Sequence, residues 1–288
     1  MNNNNVTKPP ASPPIPEYLD SLISRALKED INSGDITTNS IVGEDSKSRA
    51  IWKAKQNGVI AGLFIGKKVF QSLESDINWQ LQVEEGQRVK SGDTLLTIEG
   101  STRALLTGER TALNFVQRLC GIATQTAEYV KKLDGTDTLI LDTRKTAPGF
   151  RVLDKYAVKT GGGENHRMGL YDMALIKENH ISAAGGITNA VEAIRALDDE
   201  IQIEVEITNL EQIEEALDAG SDMIMLDNMS NEAMKSAVKF IGGKAKTEAS
   251  GNITLNRLKE IAETGVDYIS AGALTHSVKA FDISQTIK

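Results

Sequence analysis

Residues 201–228 read "IQIEVEITNLEQIEEALDAGSDMIMLDN". The first seven residues alternate apolar and polar side chains, the period of a strand. Residues 210–219 then read as a helix, and "DMIMLDN" is a second short apolar run. Strand, helix, strand means parallel pairing through a right-handed crossover. The same pattern extends both ways. "TLILDTRK" and "MALIKENH" come before, "KTEASGN" and "VDYISAGA" after, making six runs at spacings of roughly 20 to 35 residues, with further helical stretches at 190–197 and 256–263. Only about 15 residues follow the sixth run, too few for eight βα units. The expected fold is therefore an incomplete parallel α/β barrel.

Each run ends in polar or small residues: Asp142, Thr143, Arg144 and Lys145; Lys177, Glu178, Asn179 and His180; Glu206; Asp227 and Asn228; Ser250 and Gly251; Ser270 and Gly272. The C-terminal ends of barrel strands gather on one face, and that face carries the active site. The first half of the chain follows another pattern. A helix is expected over 16–29, with Leu19, Leu22, Ile23 and Leu27 on one face. Residues 49–100 mix β-like runs with glycine turns. One of these, "VEEGQRVKSGDTLLTIEG", resembles a hairpin of lipoyl or biotin carriers but lacks the carrier lysine, so it reads as scaffold. Residues 104–133 turn helical again.

The 288 residues carry a net charge of −8, which argues against a nucleic-acid partner. No apolar run approaches the roughly 20 residues of a membrane span. Cys120 is the single cysteine and cannot form an internal disulfide, which fits a cytoplasmic setting. Residues 1–15 are rich in Asn and Pro, lack a signal-type hydrophobic stretch, and are expected to be a disordered tail.

Against this acidic background, Arg144, Lys145, Arg151, Lys155, Lys159, His166, Arg167 and Lys177 form a local excess of cations. Lys155 and Lys159 read as a solvated helix face. Arg144, Lys145, His166, Arg167 and Lys177 lie at strand ends and glycine turns, where converging cations call for a polyanionic ligand. Arginine grips a carboxylate with two parallel hydrogen bonds; lysine acts as a point charge. Gly161, Gly162 and Gly163 could let backbone approach a ligand, or form an ordinary loop. The turns at Ser250, Gly251 and Asn252 and at Gly272 are candidates for holding a phosphate on backbone amides. Glu204 and Glu206 share one face of their strand, and Asp227 ends the next. Glu206 and Asp227 suit Mg²⁺ or ribose hydroxyls, with internal pairing to Lys145 or Lys177 as the alternative. There is no Gly-x-Ser-x-Gly, Walker loop or helical His pair. The site reads as one built for positioning and electrostatics rather than covalent catalysis.

In order along the chain, "EDINSGDITT", "GERTALNFVQRLCGIAT", "DTRKTAPGFR", "KYAVKTGGGENHRMGLYDMALIKENH", "IEVEI", "MIMLDN", "EASGNI" and "ETGVDYISAGALTHS" resemble the motifs of quinolinate phosphoribosyltransferases. The resemblance runs from about residue 16 to the C-terminus. It implies an N-terminal α/β sandwich over 16–118, an open barrel of six or seven strands over 119–275, and a segment, 276–288, returning to the first domain. It also implies phosphoribosyl transfer from phosphoribosyl pyrophosphate to quinolinate with decarboxylation, with Mg²⁺ as cofactor, in a homodimer or hexamer with shared sites and no membrane or nucleic-acid partner. Carried over by motif, Arg110 reaches a partner's site. Arg144, Lys145, His166 and Arg167 surround quinolinate, Thr143 is a further substrate-binding candidate, and Lys177 lies between the substrates. Glu206 and Asp227 bind ribose and Mg²⁺, and Ser250, Gly251, Asn252 and Gly272 line the 5′-phosphate. Lys145, Lys177, Glu206 and Asp227 are the catalytic candidates. A related transferase acting on nicotinate, or a non-catalytic metabolite-binding homologue, is the alternative.

Overall fold

The computed structural model describes residues 16–288, so the tail expected over 1–15 lies outside the described residues. The described residues divide into two compact units: 16–127 with Val152–Gly162 and Val278–Lys288, and Glu128–Arg151 with Gly163–Ser277.

In chain order the elements begin α1 (Pro16–Ile31), α2 (Ile36–Ile41), β1 (Lys47–Ala54), β2 (Gly58–Val59), α3 (Leu63–Gln71), β3 (Asn78–Leu81), β4 (Arg88–Val89), β5 (Thr94–Ser101) and α4 (Thr102–Lys132). They continue β6 (Leu139–Leu141), α5 (Arg151–Thr160), β7 (Ala174–Ile176), α6 (Glu178–Ala184), α7 (Ile187–Leu197), β8 (Ile203–Ile207) and α8 (Glu211–Asp218). The last are β9 (Met223–Asp227), α9 (Asn231–Ile241), β10 (Lys246–Ser250), α10 (Leu258–Ala262), β11 (Tyr268–Ser270), α11 (Ala273–His276) and β12 (Ile283–Ile287).

The first unit is an antiparallel sheet in the order β12-β1-β5-β3, with a β2-β4 ribbon and helices. Every second residue of β1 from Ala50 to Ala54 is buried, which puts Trp52 in the core with Phe70 and Trp79 edge-on at 6.2 and 5.6 Å. The C-terminal strand is bound in by ladder pairing and by the Trp52 indole, which donates to Gln285 at 2.7 Å. Gly121 makes that return possible: a Cβ there would lie 2.3 Å from the Lys279 carbonyl oxygen. Gly121→Ala is therefore expected to push this segment away from α4.

The division differs from the expected boundary at 118/119, which falls inside α4. That helix runs unbroken for 31 residues, with no proline to stop it. The α5 residues counted with the first unit are tied there by Arg118, which grips Asp154 through two hydrogen bonds of 2.9 and 2.8 Å, and by Tyr156, which donates to Glu85 at 2.9 Å. Lys155, expected on a solvated face, is fully buried. The glycine run also serves packing. A Cβ on Gly161 would lie 2.5 Å from the Ala123 carbonyl oxygen of α4, and Gly162 turns the chain at φ 93°.

The second unit is a six-stranded parallel sheet in the order β6-β11-β10-β9-β8-β7, an incomplete α/β barrel open between β6 and β7. The six apolar runs are its six strands. Ile203, Val205 and Ile207 of β8 are wholly buried, and Glu204 and Glu206 take the other face. Register pairs Glu206 with Met225, Met225 with Glu248, and Asp227 with Ser250, so all these side chains share one face. Among the described residues, no helix is long and apolar enough to cross a membrane.

Candidate active site

The C-terminal strand ends of the second unit enclose a cavity of about 560 Å³. Thr143, Arg144, Lys145, His166, Arg167, Lys177, Glu206, Asp227, Ser250, Gly251 and Asn252 line it. Of the residues carried over by motif, Arg110 and Gly272 do not. Arg110 is exposed on α4, in the first unit. Gly272 has an ordinary helical φ of −60° and stands behind Lys145, where a Cβ would meet the lysine Cδ at 2.9 Å. Its lack of a side chain gives Lys145 passage into the cavity. The Thr275 hydroxyl fixes the same loop by donating to the Lys145 carbonyl at 2.8 Å.

The cationic wall is braced from behind. Arg151 donates to the Thr146 hydroxyl at 2.7 Å and to the Met168 and Arg144 carbonyls at 2.9 and 3.1 Å. It holds the loops that carry Arg144 and Arg167 and is structural. The segment that delivers His166 adds beside β6, with the Glu164 N–H donating to Ile140 O at 2.9 Å and the His166 N–H to the buried Asp142 carboxylate at 3.0 Å. Burial, and then the neighbouring charge of Arg144, press the Arg167 pKa below its usual value. Repulsion between two arginines is relieved when an anion binds. Opposite them, Lys177 makes an ion pair with Glu206 across β7 and β8, the internal pairing weighed from sequence. Lys177 immediately precedes α6 as its N-cap, and its N–H donates to His180 Nδ1 at 3.0 Å, which gives His180 a structural role.

A cluster of buried acids lies under the cavity. His166 Nε2 is 2.9 Å from Glu204 Oε2 and 3.3 Å from Glu248 Oε2, and both glutamates are fully buried. Burial and then the Glu248 charge push the Glu204 carboxyl up to about 7. Burial opposes charge on the His166 ring, but the two glutamates outweigh it and raise its pKa. Both shifts mean that the cluster retains protons. The hydrogen bonds say where. The Arg167 N–H donates to His166 Nδ1 at 2.7 Å, so Nδ1 is an acceptor and the ring proton sits on Nε2, facing Glu204. A protonated Nε2 is also unavailable as a metal ligand, although the three ligand atoms lie within 4.8 Å of one another. Among the described residues, neither oxygen of Glu248 has a hydrogen-bond partner.

Five further residues line the cavity: Leu175, Met225, Asn228, Glu248 and Ser270. Glu248 was within reach of the sequence, because it stands two before Ser250 on a strand and shares its face. Asn228 follows Asp227 directly, but nothing in the pattern gives its turn.

A family model described as quinolinate phosphoribosyl transferase, C-terminal domain, matches residues 122–286, and one described as the N-terminal domain of the same enzyme matches 35–120. The chain is 46% identical to the probable carboxylating nicotinate-nucleotide pyrophosphorylase of Bacillus subtilis (strain 168), covering 93% of each chain. It is 43% identical to the mitochondrial decarboxylating quinolinate phosphoribosyltransferase 2b of Nicotiana tabacum, covering 97% of this chain and 84% of the relative. The crystal structure of NadC from Streptococcus pyogenes superposes with a TM-score of 0.93 at 41% identity, covering 96% of this chain and 99% of that one.

Proposed function

The chain belongs to the quinolinate phosphoribosyltransferase family, and from that premise we propose that it transfers a phosphoribosyl group from phosphoribosyl pyrophosphate to quinolinate, releasing pyrophosphate and CO₂ and yielding nicotinate mononucleotide for NAD synthesis. The observation that carries this reading is the convergence of Arg144, Lys145, Arg167 and Lys177 on one cavity whose other wall holds Glu206 and Asp227. Cations suit a dicarboxylate and a polyphosphate. Acids at the adjoining strand ends suit a ribose and its metal.

In this reading Thr143, Arg144, His166 and Arg167 hold the quinolinate carboxylates, and Lys145 and Lys177 face the gap between the substrates. Ser250, Gly251 and Asn252 receive the 5′-phosphate. Gly272 acts at one remove, through Lys145. The carboxylate oxygens of Glu206 and Asp227 are the hard donors Mg²⁺ prefers, and they stand on neighbouring strands, so the donor set fits that ion. Bound there, Mg²⁺ would neutralise charge on the departing pyrophosphate. Lys177 would then release Glu206 and turn toward substrate.

The ring nitrogen attacks the anomeric carbon as the C–O bond to pyrophosphate breaks, through an oxocarbenium-like state. Nitrogen becomes cationic, and its positive charge stabilises the electron pair left on C2 when the C2 carboxylate departs as CO₂. A proton then closes the ring C–H bond. The arginines' part is orientation: they grip the carboxylates and leave the nitrogen facing the sugar. A cytoplasmic homodimer belongs to the same proposal, supported by the buried lone Cys120 and by exposed Arg110 on α4, which would complete a partner's site. Mixing Arg110→Ala with Lys145→Ala protein should restore activity in hybrid dimers; no rescue under proven subunit exchange excludes that sharing.

The deciding test is incubation with phosphoribosyl pyrophosphate, Mg²⁺ and either quinolinate or nicotinate, read by mass spectrometry. Nicotinate mononucleotide from quinolinate is the expected result. Product from nicotinate alone would make the dicarboxylate assignment of Arg144 and Arg167 wrong.

A further inference from the structure

Strands β9 and β10 end side by side in the cavity wall, and both ends carry unusual backbone. Asn228, just after Asp227, has φ 53°, and Asn252 has φ 51°. Gly251 between Ser250 and Asn252 has φ 88°. Left-handed backbone is uncommon for residues other than glycine, and asparagine tolerates it best. Two such asparagines on one wall form a strained feature that its surroundings must hold in place.

Those surroundings are polar and specific. The Asn228 carboxamide donates from Nδ2 to Asp227 Oδ2 at 2.7 Å. Its Oδ1 accepts from Asn252 Nδ2 at 3.0 Å. Its backbone N–H donates to the Ser250 carbonyl at 2.9 Å, and Arg257 donates to the Asn252 carbonyl at 3.1 Å. The carboxamide also lies flat against the neighbouring turn, because a Cβ on Gly251 would be 2.2 Å from Asn228 Oδ1. One side chain thus touches the acid that ends β9 and the turn that ends β10.

We infer that Asn228 is a positioning residue for the phosphoribosyl-donor half of the site: its carboxamide fixes the Asp227 carboxylate and, through Asn252, sets that carboxylate's distance from the Ser250, Gly251 and Asn252 turn. The inference rests on the reading of Asp227 as a ribose or metal contact and of the turn as a phosphate contact. A ribose phosphate carries hydroxyls and phosphate at a separation fixed by covalent bonds. Protein groups held at a matching separation need no ordering when it binds. The carboxamide suits this place because it offers a donor to a carboxylate and an acceptor to a second amide. An aspartate would set two carboxylates together, and an apolar side chain would leave Asp227 unheld.

The test compares Asn228→Gly, Asn252→Gly, the double variant and Asp227→Ala with the parent protein. Glycine keeps the left-handed backbone and removes only the carboxamide. Binding of phosphoribosyl pyrophosphate with Mg²⁺, and separately of quinolinate, is measured by calorimetry beside KM values and melting temperature. Asn228→Gly is expected to weaken phosphoribosyl pyrophosphate by about tenfold in both Kd and KM and to move quinolinate by less than about twofold. Asn252→Gly should do the same, and the double variant should be no worse than either alone, because the two amides act as one unit. Equal weakening of both substrates, or additive losses, would mean a merely structural turn and would overturn the inference. So would unchanged binding in Asn228→Gly while Asp227→Ala weakens it, an outcome that leaves the site reading standing. Should Asp227→Ala itself bind normally, the site reading falls first and the inference with it. If Asn228→Gly does not fold, Asn228→Asp, which keeps shape but loses the donor, gives the same comparison.

Discussion

Glu85 and Glu248 are acids drawn out of water in the two units, and they are treated in opposite ways. Glu85, beside the start of α3, is only part-buried, yet it accepts the N–H groups of Gly62 and Leu63, each at 2.7 Å, and the Tyr156 hydroxyl at 2.9 Å. Glu248 is wholly buried, and among the described residues neither of its oxygens has a hydrogen-bond partner, the His166 ring standing 3.3 Å from Oε2. The first unit repeats its pattern at Asp154, buried and gripped twice by Arg118. The second repeats its own at Glu204, where one oxygen is unsatisfied. A buried charge without hydrogen bonds costs stability. Closed charge marks the scaffold, and open charge lies under the cavity where substrate anions are expected.

The largest expected effect tests the open side. Lys145→Ala should lower kcat/KM by about 10²–10³-fold, the usual loss when one stabilising group is removed from a reacting site, and leave the melting temperature unchanged. Steady-state kinetics beside a thermal melt will show it; a large fall in stability would make Lys145 part of the scaffold. Next is Arg118→Ala in the closed unit. Leaving Asp154 buried without its main partner should cost about 3 kcal/mol in urea unfolding, with kcat/KM per folded molecule unchanged. A kinetic effect without a stability loss would break the contrast. Glu248→Gln should go the other way, adding about 1 kcal/mol of stability as an acid without a hydrogen bond is replaced by an amide that can donate toward Glu204, while kcat/KM falls severalfold. If this variant is less stable than the parent, Glu248 is better satisfied than its surroundings indicate.

Much of the barrel unit was legible in sequence because its chemistry follows the period of its strands. Alternation in "IEVEI" put Glu204 and Glu206 on one face, and the six polar strand ends are enough to mark the mouth of the cavity. What escaped was set by backbone contact rather than by period. Gly161 and Gly272 look like ligand-approach glycines in sequence, but one gives room to the Ala123 carbonyl and the other to the Lys145 side chain. Lys155 looks solvated by type, yet its helix position buries it. The unit boundary inside residues 102–132 has no breaker to announce it, because α4 crosses it as one helix. The Asn228–Asn252 contact joins residues 24 positions apart through left-handed turns, which no local pattern encodes.

The smallest effect separates the two kinds of acid by pH. Burial raises the Glu85 pKa against the pull of its hydrogen bonds, the largest of them from the Gly62 N–H. Between the ordinary carboxylate value, about 4.3, and the raised one, the native state therefore holds more of this proton than the unfolded chain does. Stability must fall as pH rises through that window, by at most about 1.4 kcal/mol per unit for one proton. It is level below the window, where both states are protonated, and level above it, where both are ionised. Glu85→Gln should remove this slope, visible as a parent-minus-variant difference that shrinks as pH rises. Glu204→Gln should remove a slope of the same sign that continues to about pH 7, the value to which burial and Glu248 push that carboxyl. The difference between these two windows measures what the hydrogen bonds of the first unit do for a part-buried acid. Equal windows would mean that Glu204 is as well solvated by its surroundings as Glu85 is by its three donors, and the contrast between closed and open charge would fail.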